Sequence, residues 1–257
     1  MRLLWITDPH FEFLPLKERF SFYRGIVKQK ADQIIITGDI GVSDTFQEYL
    51  LEMLHIIGTF PYFVLGNHDY YKGSITKVRR DLETICHYLS KNDEPVRLTE
   101  KAAIVGCDGW GDCQFGNPNS GVILNDFNFI RELTDPITRQ DKLRRLGKES
   151  ADKLKGVLTT AAENYKIVYV ATHVPPFAEA AWYEGKQSDN DYLTFFACKA
   201  VGDVIRDIAA EHKKTKFVVL CGHTHSGGKI KIGKNIEVLT GEARYGKPQI
   251  QRVFDIK

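Results

Sequence analysis

Five apolar runs, rich in Ile and Val, each end abruptly in residues that can ligate metals. Arg2–Thr7 runs into Asp8-Pro9-His10, and Gln33–Thr37 into Gly38-Asp39. Tyr62–Leu65 runs into Gly66-Asn67-His68-Asp69. Lys166–Thr172 ends in His173, and Lys216–Cys221 leads into Gly222-His223-Thr224-His225. Runs of this length and composition predict strands buried on both faces, as in a parallel sheet. In such sheets ligands bind beyond the carboxyl ends of the strands. The polar tails can therefore converge although they span more than 200 positions.

The spacing supports this. Asp8 to Asp39 is 31 residues and Asp39 to Asn67 is 28, and one strand-helix-strand crossover needs ~30. On an extended chain, residues i and i+2 point to the same side. Asp8 and His10 then reach one centre, and so do His223 and His225. Of eight histidines, five lie at these strand ends: His10, His68, His173, His223 and His225. The others, His55, His87 and His212, fall on or beside predicted helices and read as ordinary surface residues. Any one strand-end His or Asp reads as turn chemistry. Five together do not.

Seven residues are metal-ligand candidates: Asp8, His10, Asp39, Asn67, His173, His223 and His225. They offer carboxylates, imidazoles and an amide but no thiolate, which suits Mn, Fe, Zn or Mg. Seven is too many for one tetrahedral ion. It suits two ions sharing a bridging carboxylate, and ions ~3.5–4 Å apart clamp an in-line displacement at phosphorus.

Helical patterns separate the strands. Phe46 to Ile57 repeats at i, i+3, i+4, with Ser43 placed as N-cap. Leu143 to Ala161 carries a second stripe. Leu193 to Ile208 carries a third, starting from Ser188 or Asp189. The last 30 residues read as an antiparallel meander. Residues 109–129 and 175–191 read as long irregular loops, which in a compact domain are usually functional.

Composition narrows the setting. With 257 residues, 43% of them hydrophobic, the chain supports a sizeable core. A net charge of +2 argues against nucleic acid or an anionic membrane as partner. The five cysteines have no C-x-x-C pair, so reduced thiols in a cytoplasmic protein are expected. No secretory leader is expected from the N-terminus, and no apolar run approaches the ~18 residues of a membrane span.

The ordered blocks D-x-H, G-D, G-N-H-D, an isolated H and G-H-x-H resemble the calcineurin-like metallophosphoesterase superfamily. The resemblance spans residues 8 to 225. It implies one α/β domain over 1–257 (α+β by some schemes), a four-layer αββα sandwich with two mixed β-sheets. It implies two divalent metal ions. Asp8, His10 and His225 would hold the first, and Asn67, His173 and His223 the second, with Asp39 bridging. A metal-bridging hydroxide would attack phosphorus in line. His68 would protonate the leaving oxygen, a role an imidazole's ordinary pKa of about 6.5 suits, and Asp69 would orient it. Neighbours on an extended chain face opposite ways, which keeps Asn67 and His68 off the same ion.

The substrate expected is a small-molecule phosphomonoester or phosphodiester. The protein Ser/Thr phosphatase pattern G-D-x-V-D-R-G is absent, and Asp69 stands where that group has Glu. No Tyr sits near the second block as in purple acid phosphatases. The blocks look closest to small bacterial phosphoesterases, class III cyclic nucleotide phosphodiesterases among them. A nuclease is disfavoured by charge, and a non-catalytic scaffold by the complete ligand set. Substrate contacts are expected from Trp110, Asp112 and Asn125 in one loop and Trp182 and Tyr183 in the other. Arg244 and Tyr245, after the strand ending in Gly241, could bind phosphate, but a surface turn is the preferred reading.

Overall fold

The computed structural model describes residues 1–257. In chain order the strands are β1 (Arg2–Ile6), β2 (Gln33–Thr37), β3 (Tyr62–Val64), β4 (Val96–Arg97), β5 (Ala102–Cys107) and β6 (Ile167–Thr172). They continue with β7 (Trp182–Tyr183), β8 (Lys186–Gln187), β9 (Lys216–Cys221), β10 (Gly228–Ile232), β11 (Ile236–Thr240) and β12 (Ile250–Asp255). The helices are α1 (Leu16–Lys28), α2 (Phe46–Ile57), α3 (Ile75–Asp81) and α4 (Asp126–Phe129). After them come α5 (Arg139–Asn164), α6 (Asn190–Phe196) and α7 (Lys199–Glu211).

Two mixed sheets result. One has the order β12-β1-β2-β3, with β1, β2 and β3 parallel and β12 antiparallel on the edge. The other runs β10-β11-β9-β6-β5-β4, parallel from β11 through β5 with an antiparallel strand at each end. The strand pleat sends alternate side chains to opposite faces, and this sorts the layers. Leu4, Ile6, Ile34 and Ile36 pack with Tyr23, Ile26, Phe46 and Met53 of α1 and α2. Leu3, Trp5 and Ile35 pack instead against Ile104, Tyr169 and Leu220 of the facing sheet. Beyond that sheet, Val168, Val170 and Val219 meet Leu154, Leu158, Val201 and Ile205 of α5 and α7. The layers are therefore helix, sheet, sheet, helix. Each such aliphatic side chain contributes about 1.5–3 kcal/mol on burial.

Four expectations need correcting. The C-terminal meander is only a hairpin: β10 and β11 pair antiparallel, but β11 runs parallel to β9 and β12 crosses to cover the edge of β1. Thr45, not Ser43, is the N-cap residue of α2. The third helical stripe is two helices. Asp189 caps α6 by accepting from the N–H of Asp191 and Tyr192. The chain is then extended at Ala197 and Cys198 before α7. Tertiary bonds impose that break: Ala197 O accepts from Asp112 N, Cys198 N donates to Pro175 O, and Ala200 N donates to Asp112 Oδ2. Asp112 thus caps α7 from a distant loop, and it contacts no part of the strand-end cluster. The 175–191 stretch is also more regular than expected, since β7 and β8 form a hairpin within it.

Candidate metal centre

The polar tails of β1, β2, β3, β6 and β9 meet at one end of the two sheets. All seven candidate ligands come together there. The segments after β1 and β2 run on side by side, with Asp8 N donating to Gly38 O and His10 N to Asp39 O. Gly222 N donates to His173 O, which joins the tails of β9 and β6. The mechanism of convergence differs from the extended alternation expected. Asp8, His10, Asp39, His223 and His225 all have left-handed backbones, with φ between 45° and 70°. Non-glycine residues adopt that region at a cost, and such strain persists where the surroundings over-determine it. Asn67 is not extended either: it is in the right-handed helical region and opens a short turn over His68–Tyr70.

The ligands form two groups. Asp8, His10, Asp39 and His225 each bring a ligand atom within 4.8 Å of the others. In this group His10 Nε2 lies 3.0 Å from His225 Nε2, and His225 Nε2 lies 3.5 Å from Asp8 Oδ1. The second group centres on Asn67 Oδ1, which lies 3.0 Å from His173 Nε2 and 2.9 Å from His223 Nδ1. His223 and His225 therefore serve opposite groups, contrary to the i, i+2 expectation. Asp39 faces both: its Oδ2 is 3.7 Å from His10 Nε2 and its Oδ1 is 3.4 Å from His173 Nε2.

The surroundings leave lone pairs pointing inward. His173 Nδ1–H donates to Thr37 O at 2.9 Å and His223 Nε2–H to Phe195 O at 3.3 Å, which frees the opposite nitrogen of each ring. Asn67 Nδ2 donates to Asp126 Oδ1 at 2.8 Å, which fixes the amide oxygen inward. Tyr71 OH donates to the same Asp126 oxygen. Burial lowers His10 to about 4 and His223 to about 3, and lowers His173 too, so all three stay neutral. Burial also raises the Asp39 carboxyl well above its ordinary value, and the Asp8 and Asp69 charges add to that. Asp8 is held below the usual range: burial opposes this, but His225, His173 and His10 outweigh it. Converging acceptors with no cationic partner suit divalent metal ions.

The hydrogen bonds of Asp69 go to backbone and not to the His68 ring. Its Oδ1 accepts from Ile40 N and Gly41 N and its Oδ2 from Gly66 N, so the carboxylate ties the β2 and β3 tails together. Burial raises it to about 8 against those bonds. His68 stacks on Tyr71 at 4.1 Å, sets its ring edge against His10 at 4.5 Å, and donates its backbone N–H to Asp39 Oδ1. The charged group nearest its ring is Glu12, whose Oε1 lies 3.6 Å from His68 Nδ1 and 3.5 Å from His10 Nδ1. Burial opposes ionisation of Glu12, but its contacts with His10 and His68 hold the carboxyl down at about 2.

A cleft of 280 Å³ opens over Asp39, Asn67, His68, His223 and His225. Of the expected substrate contacts, Asn125 and Tyr183 line it, together with Tyr71, Phe196 and Tyr245. Trp110 does not: it is buried behind Asn67 and His223, against Tyr70. Trp182 also lies outside the cleft, packed over Gly228. The Tyr245 ring, expected on a surface turn, sits 4.6 Å from His10 and 5.0 Å from His225. Arg244 is exposed and paired with Glu242. Asp126, Glu12 and Tyr71 are the residues that sequence reasoning passed over, and Tyr245 is one that it placed on the surface. The only signal for Glu12 was its place two residues after His10. A larger cleft of 440 Å³ between α3 and α5 has no histidine, and its Arg79 and Arg145 pair with Glu149.

A sequence model of a family described as calcineurin-like phosphoesterase matches residues 1–227. Among solved structures, a dimetal phosphatase from Danio rerio aligns with a TM-score of 0.62 at 12% identity, covering 96% of this chain and 89% of that one. A phosphopantetheinyl hydrolase from Mycobacterium tuberculosis aligns with a TM-score of 0.66 at 13% identity, covering 95% and 89%. At these identities the structures speak for the fold. No curated protein matches the chain by sequence.

Proposed function

The chain belongs to the calcineurin-like phosphoesterase family, and on that premise we propose that it hydrolyses a small-molecule phosphoester with two divalent metal ions and His68 as general acid. The observation that carries this reading is Asp39, whose two oxygens face two separate ligand groups. Asp8, His10 and His225 would hold one ion, Asn67, His173 and His223 the other, and Asp39 both. Bound there, the ions would supply an activated water and neutralise charge on the phosphoryl oxygens. Mn, Fe, Zn and Mg all suit the donors.

The protein's own residues do the rest. The wall of Tyr71, Phe196 and Tyr245 gives a leaving group a flat apolar surface. His68 lies at the cleft between Tyr71 and His10, next to the bridging carboxylate to which its backbone N–H is bonded. From there its imidazole donates a proton to the departing oxygen.

Within that reading a phosphodiester is favoured over a monoester. The cleft contains no Lys or Arg, so no fixed side-chain cation answers the second charge of a monoester, and the aromatic wall suits a ring such as a nucleobase. No helix is long and apolar enough to cross a membrane. The five cysteines are free, four of them buried, which supports a cytoplasmic setting. The cleft's lack of basic side chains argues against a nucleic-acid backbone as substrate. The test is turnover of chromogenic mono- and diesters by metal-replete protein. Metal-stimulated hydrolysis is expected, faster on the diester. No turnover of either ester would sink the proposal.

A further inference from the structure

We propose that Glu12, not Asp69, is the positioning residue for His68, and that the same carboxylate orients the metal ligand His10. Glu12 lies in the turn Phe11–Phe13 that follows His10 directly. Its Oε1 stands between two imidazoles, 3.5 Å from His10 Nδ1 and 3.6 Å from His68 Nδ1. Its side chain is 14% exposed. Both carboxylate oxygens and His10 Nδ1 are shut from water without any hydrogen-bond partner. An unpartnered buried carboxylate is expensive, so nearby donors must answer it. The facing donors are the two ring N–H groups. A shift of about half an ångström turns each contact into a bond, and catalytic hydrogen bonds tighten in this way when a site is loaded. Asp69 has no capacity to spare, since its oxygens already take three backbone N–H groups.

The chemistry follows from where each ring keeps its hydrogen. A carboxylate at His10 Nδ1 holds the hydrogen there and leaves Nε2, which faces Asp39 and His225, free for a metal. At His68 it holds Nδ1–H and supports the imidazolium, so Nε2 is the nitrogen that gives up the proton. This rests on His68 being the acid of the proposed reaction.

The test is Glu12→Leu, which keeps the bulk of the side chain and removes the acceptor that both rings share. With zinc on Nε2, His10 keeps Nδ1–H in either protein, but nothing in the variant holds the hydrogen of His68 at Nδ1, and a free neutral imidazole side chain prefers Nε2–H. Nitrogen-15 spectra of the zinc-loaded protein should therefore show neutral His68 hydrogenated at Nδ1 in the wild type and mainly at Nε2 in the variant. Turnover should split with the leaving group. An alkyl ester, which needs the acid, should slow at least ~10-fold more than a dinitrophenyl ester, which does not. A wild-type His68 hydrogenated at Nε2, or a tautomer that Glu12→Leu leaves unchanged, would overturn the contact. Equal slowing of both esters would overturn the positioning role. A wild type inert towards every ester would refute the phosphoesterase reading, while the spectra still decide the Glu12 contact.

Discussion

Asp126 turns Asn67. The carboxylate accepts from Asn67 Nδ2 at 2.8 Å, so the amide oxygen faces His173 and His223. Rotated by half a turn, Asn67 would present N–H groups to two imidazole nitrogens and to a metal position. Asp126 begins α4 and arrives from the 109–129 loop. A segment remote in sequence therefore determines whether the second ligand group can bind a cation.

Asp126→Leu should accordingly lose metal from that group and spare the other. Supporting partners of this kind are worth ~10–100-fold in metal affinity. Elemental analysis after dialysis should fall from two equivalents towards one. Two tightly held equivalents in the variant would show that Asn67 keeps its orientation unaided.

Metal removal should destabilise the fold. Asp8 and Asp39 bring carboxyl oxygens within 4.8 Å of each other, both buried, and burial and the neighbouring Asp8 charge disfavour the ionised form of Asp39. Added metal supplies the missing counter-charge. Folding stability should gain ~4 kcal/mol at a thousandfold excess over Kd, visible as a Tm that climbs with metal concentration. Asp39→Asn offers one acceptor where two are used, so its Tm should respond far less.

Asp69→Ala should act on stability first. It orphans the N–H groups of Ile40, Gly41 and Gly66, each costing about 1–3 kcal/mol when buried without a partner. Denaturant unfolding should show the loss. Asp69→Asn keeps two acceptor lone pairs on one oxygen and should fall between the two. A variant with unchanged stability but a lost leaving-group dependence would return Asp69 to the role of orienting His68.

The ligand residues were legible because each sits where an apolar run stops, and a parallel sheet gathers such stops at one end. What lies beside the ligands was not. Glu12 and Asp126 act through contacts that local patterning does not encode, and Asp126 is 59 positions from Asn67. The helix broken at Ala197 reads as continuous because its apolar stripe does continue, and only Asp112 and Pro175 stop it. Trp110 reads as a substrate contact because it lies in a long loop rich in Gly and Asn, yet the start of that loop folds inward and buries it.

Trp110 and Tyr245 should therefore behave in opposite ways. Trp110→Ala opens a cavity in the core and should cost about 3–5 kcal/mol, with KM little changed in whatever folds. The half-exposed Tyr245 ring lies over His10 and His225. Tyr245→Ala should leave stability almost untouched and raise KM. A stable Trp110→Ala protein with an altered KM would restore Trp110 as a substrate contact.

The glycines of the motifs make the last prediction. A Cβ at Gly222 would stand 2.0 Å from Asp8 Oδ2 and 2.1 Å from Thr7 Oγ1. One at Gly66 would stand 2.1 Å from Asp39 Oδ1 and 2.6 Å from Asp39 N. Each glycine is thus the space into which a ligand from another strand fits. Thr7 Oγ1 donates to Asp8 Oδ2 at 2.5 Å, and His223 N donates to the same carboxylate, so Asp8 has no room to retreat. Gly222→Ala must push Asp8 out of its group, while Gly66→Ala must push Asp39 out of both. Titrated with zinc, Gly222→Ala should still bind one equivalent tightly, at the Asn67 group, and Gly66→Ala should bind neither tightly. If both variants bind two equivalents with wild-type affinity, the ligands are not held by these close approaches.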